Sequence, residues 1–78
     1  MKNKVKPDGK VEILFVYDVD HFNHIVYNVG VDEAGKYYSV EEHEYNIGSA
    51  YSVYRDYYLL NEQEVEELRK KAEARKSN

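Results

Sequence analysis

The sequence predicts an α+β domain: an antiparallel sheet of about four strands followed by a single C-terminal α-helix. Three observations carry that expectation. Stretches rich in Val, Ile and Tyr that alternate between two faces recur through residues 11–60, separated by connections holding Gly, Asn and Asp. Residues 61–76 lose this alternation and take on the capping and charge order of a helix. A 78-residue chain without Cys makes one domain with no disulfide staple. A chain of that size buries only about 60–65% of its unfolded surface, so self-association is a ready source of extra stability.

Residues 1–10 hold four Lys, and Pro7-Asp8-Gly9 is a turn delivering the chain into the first strand, so a flexible basic arm is expected there. The sheet body is expected over residues 11–60. Residues 11–19 place Val11, Ile13, Phe15, Tyr17 and Val19 on one face and Glu12, Leu14, Val16 and Asp18 on the other, as a central strand would. A polar connection, Asp20-His21-Phe22-Asn23, leads to a second alternating stretch at 24–31, which should pair antiparallel with the first. Asp32-Glu33-Ala34-Gly35 then forms a short connection with Gly where a hairpin often requires positive φ, and residues 36–42 resume as a third strand. Residues 43–50, with Asn46, Gly48 and Ser49, are expected to form a longer loop. In residues 51–60 two periods compete. Tyr51, Val53, Tyr57 and Leu59 fit a strand and Ile47, Tyr51, Tyr54 and Tyr58 fit a helix; the density of aromatic and β-branched residues favours the strand.

The helix, residues 61–76, is clearly signposted. Asn61 as N-cap and Glu64 three residues on form a capping box, with Leu60 and Val65 at the two positions of a hydrophobic staple. Acidic residues open it and basic residues close it, the order that complements the helix dipole. Its apolar stripe, Val65, Leu68 and Ala72, is narrow and suits packing on a sheet.

Charge is sorted along the chain. Thirteen of the fifteen carboxylates fall in residues 12–67, where only Lys36 and Arg55 are cationic, while both ends are basic. Such a body repels phosphate and attracts cationic partners, so direct nucleic-acid binding is not expected. No apolar run approaches the roughly 20 residues of a membrane helix, and no leader is recognisable at the start, so no membrane partner and a cytoplasmic setting are expected. Nine Tyr against two Phe and no Trp make tyrosine the preferred bulky residue.

No arrangement of Ser, His and acid forms a nucleophilic elbow, and Gly30, Gly35 and Gly48 are too scattered to cradle a phosphate. Neither catalysis nor a cofactor is therefore expected. Asp20, His21 and His24 are ligand types that a divalent metal accepts, with His43 and Glu44 as later partners, but Asp, Asn and His are equally what a tight turn requires. Anionic clusters at Asp32-Glu33 and Glu41-Glu42-His43-Glu44 flank one strand, and exposed Tyr residues offer rigid amphipathic rings.

Two readings of function follow. In the first, the protein is a non-catalytic acidic module that docks on a basic protein surface and regulates it, with Tyr37, Glu41, Glu42, Glu44, Tyr54 and Asp56 in contact. In size, acidity and sheet-plus-helix form it is similar in type to small phage-encoded inhibitors of nucleic-acid-handling or defence enzymes, and that resemblance implies a basic groove as partner. In the second, a homo-oligomer sequesters a nucleotide-like molecule, with Tyr38, Tyr51 and Tyr58 stacking on the base and Lys36 and Arg55 neutralising phosphate. The basic ends fit either a second copy's acidic body or solvent.

Overall fold

The computed structural model describes residues 3–76. Four strands, β1 (Glu12–Asp20), β2 (Ile25–Val31), β3 (Tyr37–Ile47) and β4 (Ala50–Leu60), are followed by one helix, α1 (Glu62–Lys76). The strands form one antiparallel sheet in the order β1-β2-β3-β4. Each strand therefore pairs with its neighbour in sequence, the arrangement that short hairpin connections impose. The same connectivity leaves β1 at an edge, not in the centre where its apolar density had suggested.

Pleating sorts the sheet into two faces. On one, Val29 of β2 and Leu60 of β4 form a core with Tyr17 of β1 and with Val65 and Ala72 of α1, and Phe15, Tyr27, Tyr37 and Leu68 pack around it. The stripe read from the helix is thus the stripe it buries, and α1 lies chiefly against β1. Tyr17, which burial pushes to a higher pKa, shares a 2.5 Å hydrogen bond with Ser39 inside this layer. On the opposite face Tyr38, Val40 and Asn28 are buried. The Asn28 amide donates to Glu42 Oε1 at 3.0 Å, so its polar head is satisfied there.

Alternation along β1 is not strict. Register shifts between Ile13 and Phe15 and between Val16 and Asp18 insert two bulges. Past the second, Asp18 pairs with Tyr27 and Val19 with Val26, so Val19 does not continue the row of Phe15 and Tyr17. The shift brings Asp18 within 3.3 Å of Lys71 on α1, and that hydrogen bond holds its carboxyl below the usual range.

The helix start is as the sequence requires: Glu64 N–H donates to Asn61 Oδ1 at 2.8 Å and Asn61 N–H donates to Glu64 Oε1 at 3.0 Å. Between β2 and β3, Gly35 adopts φ +82°, and Asp32 accepts from the N–H groups of Ala34 and Lys36, both at 2.9 Å. Residues 43–50 are not a loop. β3 runs on to Ile47 and a two-residue turn, Gly48-Ser49, leads into β4. Gly48 at φ +62° supplies the positive φ of the first turn position, which matches the strand twist of a two-residue hairpin.

Composition had suggested a flexible arm at residues 1–10; its described part is tethered at several points. Val5 N–H donates to Tyr57 O on the β4 edge, next to a bridge between Lys4 and Tyr58. Asp8 N–H then reaches Asp32 Oδ2 and Lys10 N–H reaches Glu33 Oε2, while Glu33 N–H donates back to Asp8 O. The arm therefore runs from β4 past the β2–β3 turn before entering β1. Among the described residues no helix is long and apolar enough to cross a membrane.

Candidate functional site

β2 pairs with β3 only as far as Ile25 opposite His43. The β3–β4 pairing continues through Glu44↔Val53, Tyr45↔Ser52, Asn46↔Tyr51 and Ile47↔Ala50. Residues 44–53 consequently leave the sheet as a two-stranded ribbon with no third strand beside it. Ribbon side chains that are apolar or aromatic stand in solvent: Ile47 is 69% and Tyr51 63% exposed, and Tyr45, Val53 and neighbouring Tyr54 are also exposed. Phe22, 90% exposed in the β1–β2 turn, lies at the same end, because Glu44 N–H donates to His24 O.

The ribbon also carries the free part of the β4 edge. Tyr57 O accepts from the arm, so it points away from β3, and by the two-residue period of a strand the backbone groups of Tyr51, Val53 and Arg55 point the same way. Among the described residues the arm's strand-like contacts are those of Lys4 and Val5 against Tyr58 and Tyr57. An extended segment can continue that line along residues 51–55 with its own backbone hydrogen bonds.

At the ribbon's root, on the helix-side face, β3 and β4 bring together Glu41, His43, Asp56 and Tyr54. Glu41 lies opposite Asp56 and His43 opposite Tyr54. His43 Nε2 is 3.2 Å from Glu41 Oε1 and 3.5 Å from Asp56 Oδ2. The Tyr54 ring stacks on the imidazole, with centroids 4.7 Å apart and planes 2° from parallel, and Tyr45 meets Tyr54 edge-on. Lys4 Nζ reaches Asp56 Oδ1 at 3.6 Å. Tyr58 and Tyr27 on this face have raised pKa values, through burial first and the Glu41 charge second.

The expected contact residues divide between faces. Tyr37, Glu41, Tyr54 and Asp56 share the helix side, where Tyr37 packs against the core. Glu42 and Glu44 lie on the opposite face, where Arg55 Nη2 pairs with Glu42 Oε2 at 3.2 Å. Glu44 interacts with Tyr51, whose hydroxyl is pushed up by local desolvation, slight on so exposed a ring, and then by that carboxylate. The five residues considered for a nucleotide do not converge. Lys36, in the β2–β3 turn, pairs with Asp8, while Tyr38 is buried with its hydroxyl on Asp32. Tyr51 is on the ribbon, Arg55 is held by Glu42, and Tyr58 faces the helix side.

Asp20, His21 and His24 form the β1–β2 turn. Asp20 Oδ1 accepts from the N–H groups of Phe22 and Asn23 and Oδ2 from the Asn23 amide, the hydrogen bond that chiefly lowers its pKa, while His24 takes φ +56°. Of the residues weighed as metal ligands, His43 alone joins a group with converging ligand atoms, together with Glu41 and Asp56. The Glu41-x-His43 spacing was a visible signal for that group, since i and i+2 share a strand face; Asp56 needed the hairpin register. Comparison with protein-family models, curated proteins and solved structures finds no match to this chain.

Proposed function

We propose that this protein is a non-catalytic docking module that engages a basic protein surface through its β3–β4 ribbon. The observation that supports this reading is the ribbon itself, an unsupported extension with Ile47, Tyr51 and Val53 exposed beside an open strand edge. Neither feature helps the chain fold: a bare two-stranded ribbon is marginal in water, and an exposed apolar edge invites association. A partner strand laid on residues 51–55 continues the line of the arm and gains backbone hydrogen bonds, while the aromatic side chains fill pockets beside it. Glu44 and the net charge of −4 favour a cationic rim on the partner. Nucleic-acid-handling and defence enzymes offer surfaces of that chemistry.

Photo-crosslinking tests the reading. With a photoreactive residue at position 51 or at helix position 67, the protein is irradiated in an extract of cells that produce it. A product specific to position 51 is expected, and Glu44→Lys should reduce it. Val53→Pro removes an outward N–H while sparing the β3 side, so the fold persists by circular dichroism and the product disappears. Equal products from both positions, or an unchanged product in folded Val53→Pro, would overturn the reading.

A further inference from the structure

The geometry points to a divalent-cation site at the ribbon root, built by Glu41 and His43 of β3 and Asp56 of β4. It rests on a different observation from the docking reading, namely a convergence of ligand atoms. Glu41 and His43 share a face by pleating, Asp56 sits directly opposite Glu41, and one ligand atom from each lies within 4.8 Å of the others. A first-row ion with bonds of about 2.0–2.2 Å holds its ligand atoms roughly 3.0–3.4 Å apart in tetrahedral or octahedral geometry. The two distances from His43 Nε2, 3.2 and 3.5 Å, are already near that spacing. The Glu41 and Asp56 oxygens lie within 4.8 Å of each other, so rotation of these carboxylates towards His43 would close the shell around an ion.

The surroundings favour one. The three side chains are 18–25% exposed, enough for entry and for water to complete the shell. Stacking on Tyr54 fixes the imidazole plane, which supplies orientation that a free histidine lacks. Two carboxylates face one ammonium, Lys4, whose 3.6 Å contact is on the other Asp56 oxygen, Oδ1, leaving Oδ2 turned to His43. One nitrogen and two oxygens suit Zn²⁺ or Mn²⁺ better than a soft ion that seeks thiolates. The site spans β3 and β4 in the last rows that β2 supports, so an ion there would pin the strands where the ribbon begins.

The test uses the full chain, stripped with chelator, and Zn²⁺ and Mn²⁺ as probes in native mass spectrometry and titration calorimetry. One ion per chain is expected. His43→Ala should weaken binding by more than the roughly tenfold to hundredfold that loss of an outer-shell partner costs, and Glu41→Gln should weaken it in a protein whose circular dichroism is unchanged. The double variant His21→Ala/His24→Ala should bind as the parent does. No uptake of either ion, uptake insensitive to both His43→Ala and Glu41→Gln, or uptake lost with His21 and His24 would each overturn the site.

Discussion

Replacing Gly30 with Ala tests how the arm and β1 close over the sheet. A Cβ built at Gly30 would meet Val11 Cγ1 at 2.6 Å, the Glu12 carbonyl oxygen at 3.1 Å and Val40 Cγ2 at 3.2 Å. The first distance is too short for any real contact, and Val40 is fully buried and cannot retreat. The backbone angle at Gly30 is not in the left-handed region, so the penalty is steric alone. Overpacking of this kind costs about 1–3 kcal/mol. For a domain of this size about 2 kcal/mol lowers Tm by roughly 8–16 °C. Val11 is the one neighbour able to yield, because it is half-buried at the entry to β1. Val11→Ala should therefore cost about 1 kcal/mol alone. In the double variant it should return about 1 kcal/mol, a coupling well outside the additive range. Urea unfolding of the four proteins gives this cycle directly. Additivity within about 0.5 kcal/mol, or a Gly30→Ala protein as stable as the parent, would refute the described packing of Val11 on β2.

Two further predictions concern the ends of the fold. Asn61→Ala removes one half of the reciprocal cap on α1 and should cost about 1 kcal/mol by urea unfolding, with the helix signal retained. The second concerns Asp32, whose charged form burial disfavours, while Tyr38 Oη and the backbone N–H groups of Lys36, Asp8 and Ala34 outweigh that and hold the carboxyl at about 2. A folded value below the roughly 3.9 of an unfolded chain means that Asp32 stabilises above about pH 4 and loses that contribution as pH falls towards 2. Asp32→Asn should flatten the acid side of a stability profile between pH 5 and 2, and an unchanged slope would count against the network. The same hydrogen bond pushes Tyr38 up to about 12, so its share persists below pH 10 and is lost as pH rises through about 12; Tyr38→Phe should remove that alkaline loss.

Where local chemistry decides the structure, the sequence was legible. The helix start is a local device, the Asn61–Glu64 box, and α1 begins there. The second, third and fourth strands follow from pleated alternation and from Gly35, which supplies the positive φ its connection needs. Apolar density suggests a central β1 because it measures burial and not neighbours, and the bulges of β1 depend on a register that one strand cannot reveal. Polar His43, Glu44, Asn46 and Ser49 give residues 43–50 the composition of a loop. Tyr45 and Ile47 nevertheless keep the alternation of β3, and Gly48-Ser49 suffices as a turn. A loop at 43–50 would not bring the three residues of the candidate metal site together. A two-residue turn at Gly48-Ser49 sets the register of the whole hairpin, and only that register puts Asp56 across from Glu41.

Charge was the most conspicuous feature of the sequence, and the fold changes what it means. Lys4 pairs with Asp56, Arg55 with Glu42, Lys71 with Asp18 and Lys36 with Asp8, so one lysine from each basic end and the two central cations meet carboxylates of the same chain. Exposed pairs of this kind contribute little to stability, but they do settle which carboxylates a partner finds without a cation. Glu41 and Asp56 face His43, and Glu42 faces Arg55 and Asn28; Glu44 stands on the ribbon with a phenol beside it. A surface imitating a nucleic-acid backbone needs a row of carboxylates free of cations, and on the strand that holds Glu41, Glu42 and Glu44 the middle one is paired with Arg55. What it leaves facing outward is shape: an open edge at residues 51–55 with Ile47, Tyr51 and Val53 around it. The docking proposed for such an element would depend more on backbone hydrogen bonds and buried aromatic area than on long-range attraction, with Glu44 and the net charge guiding the encounter.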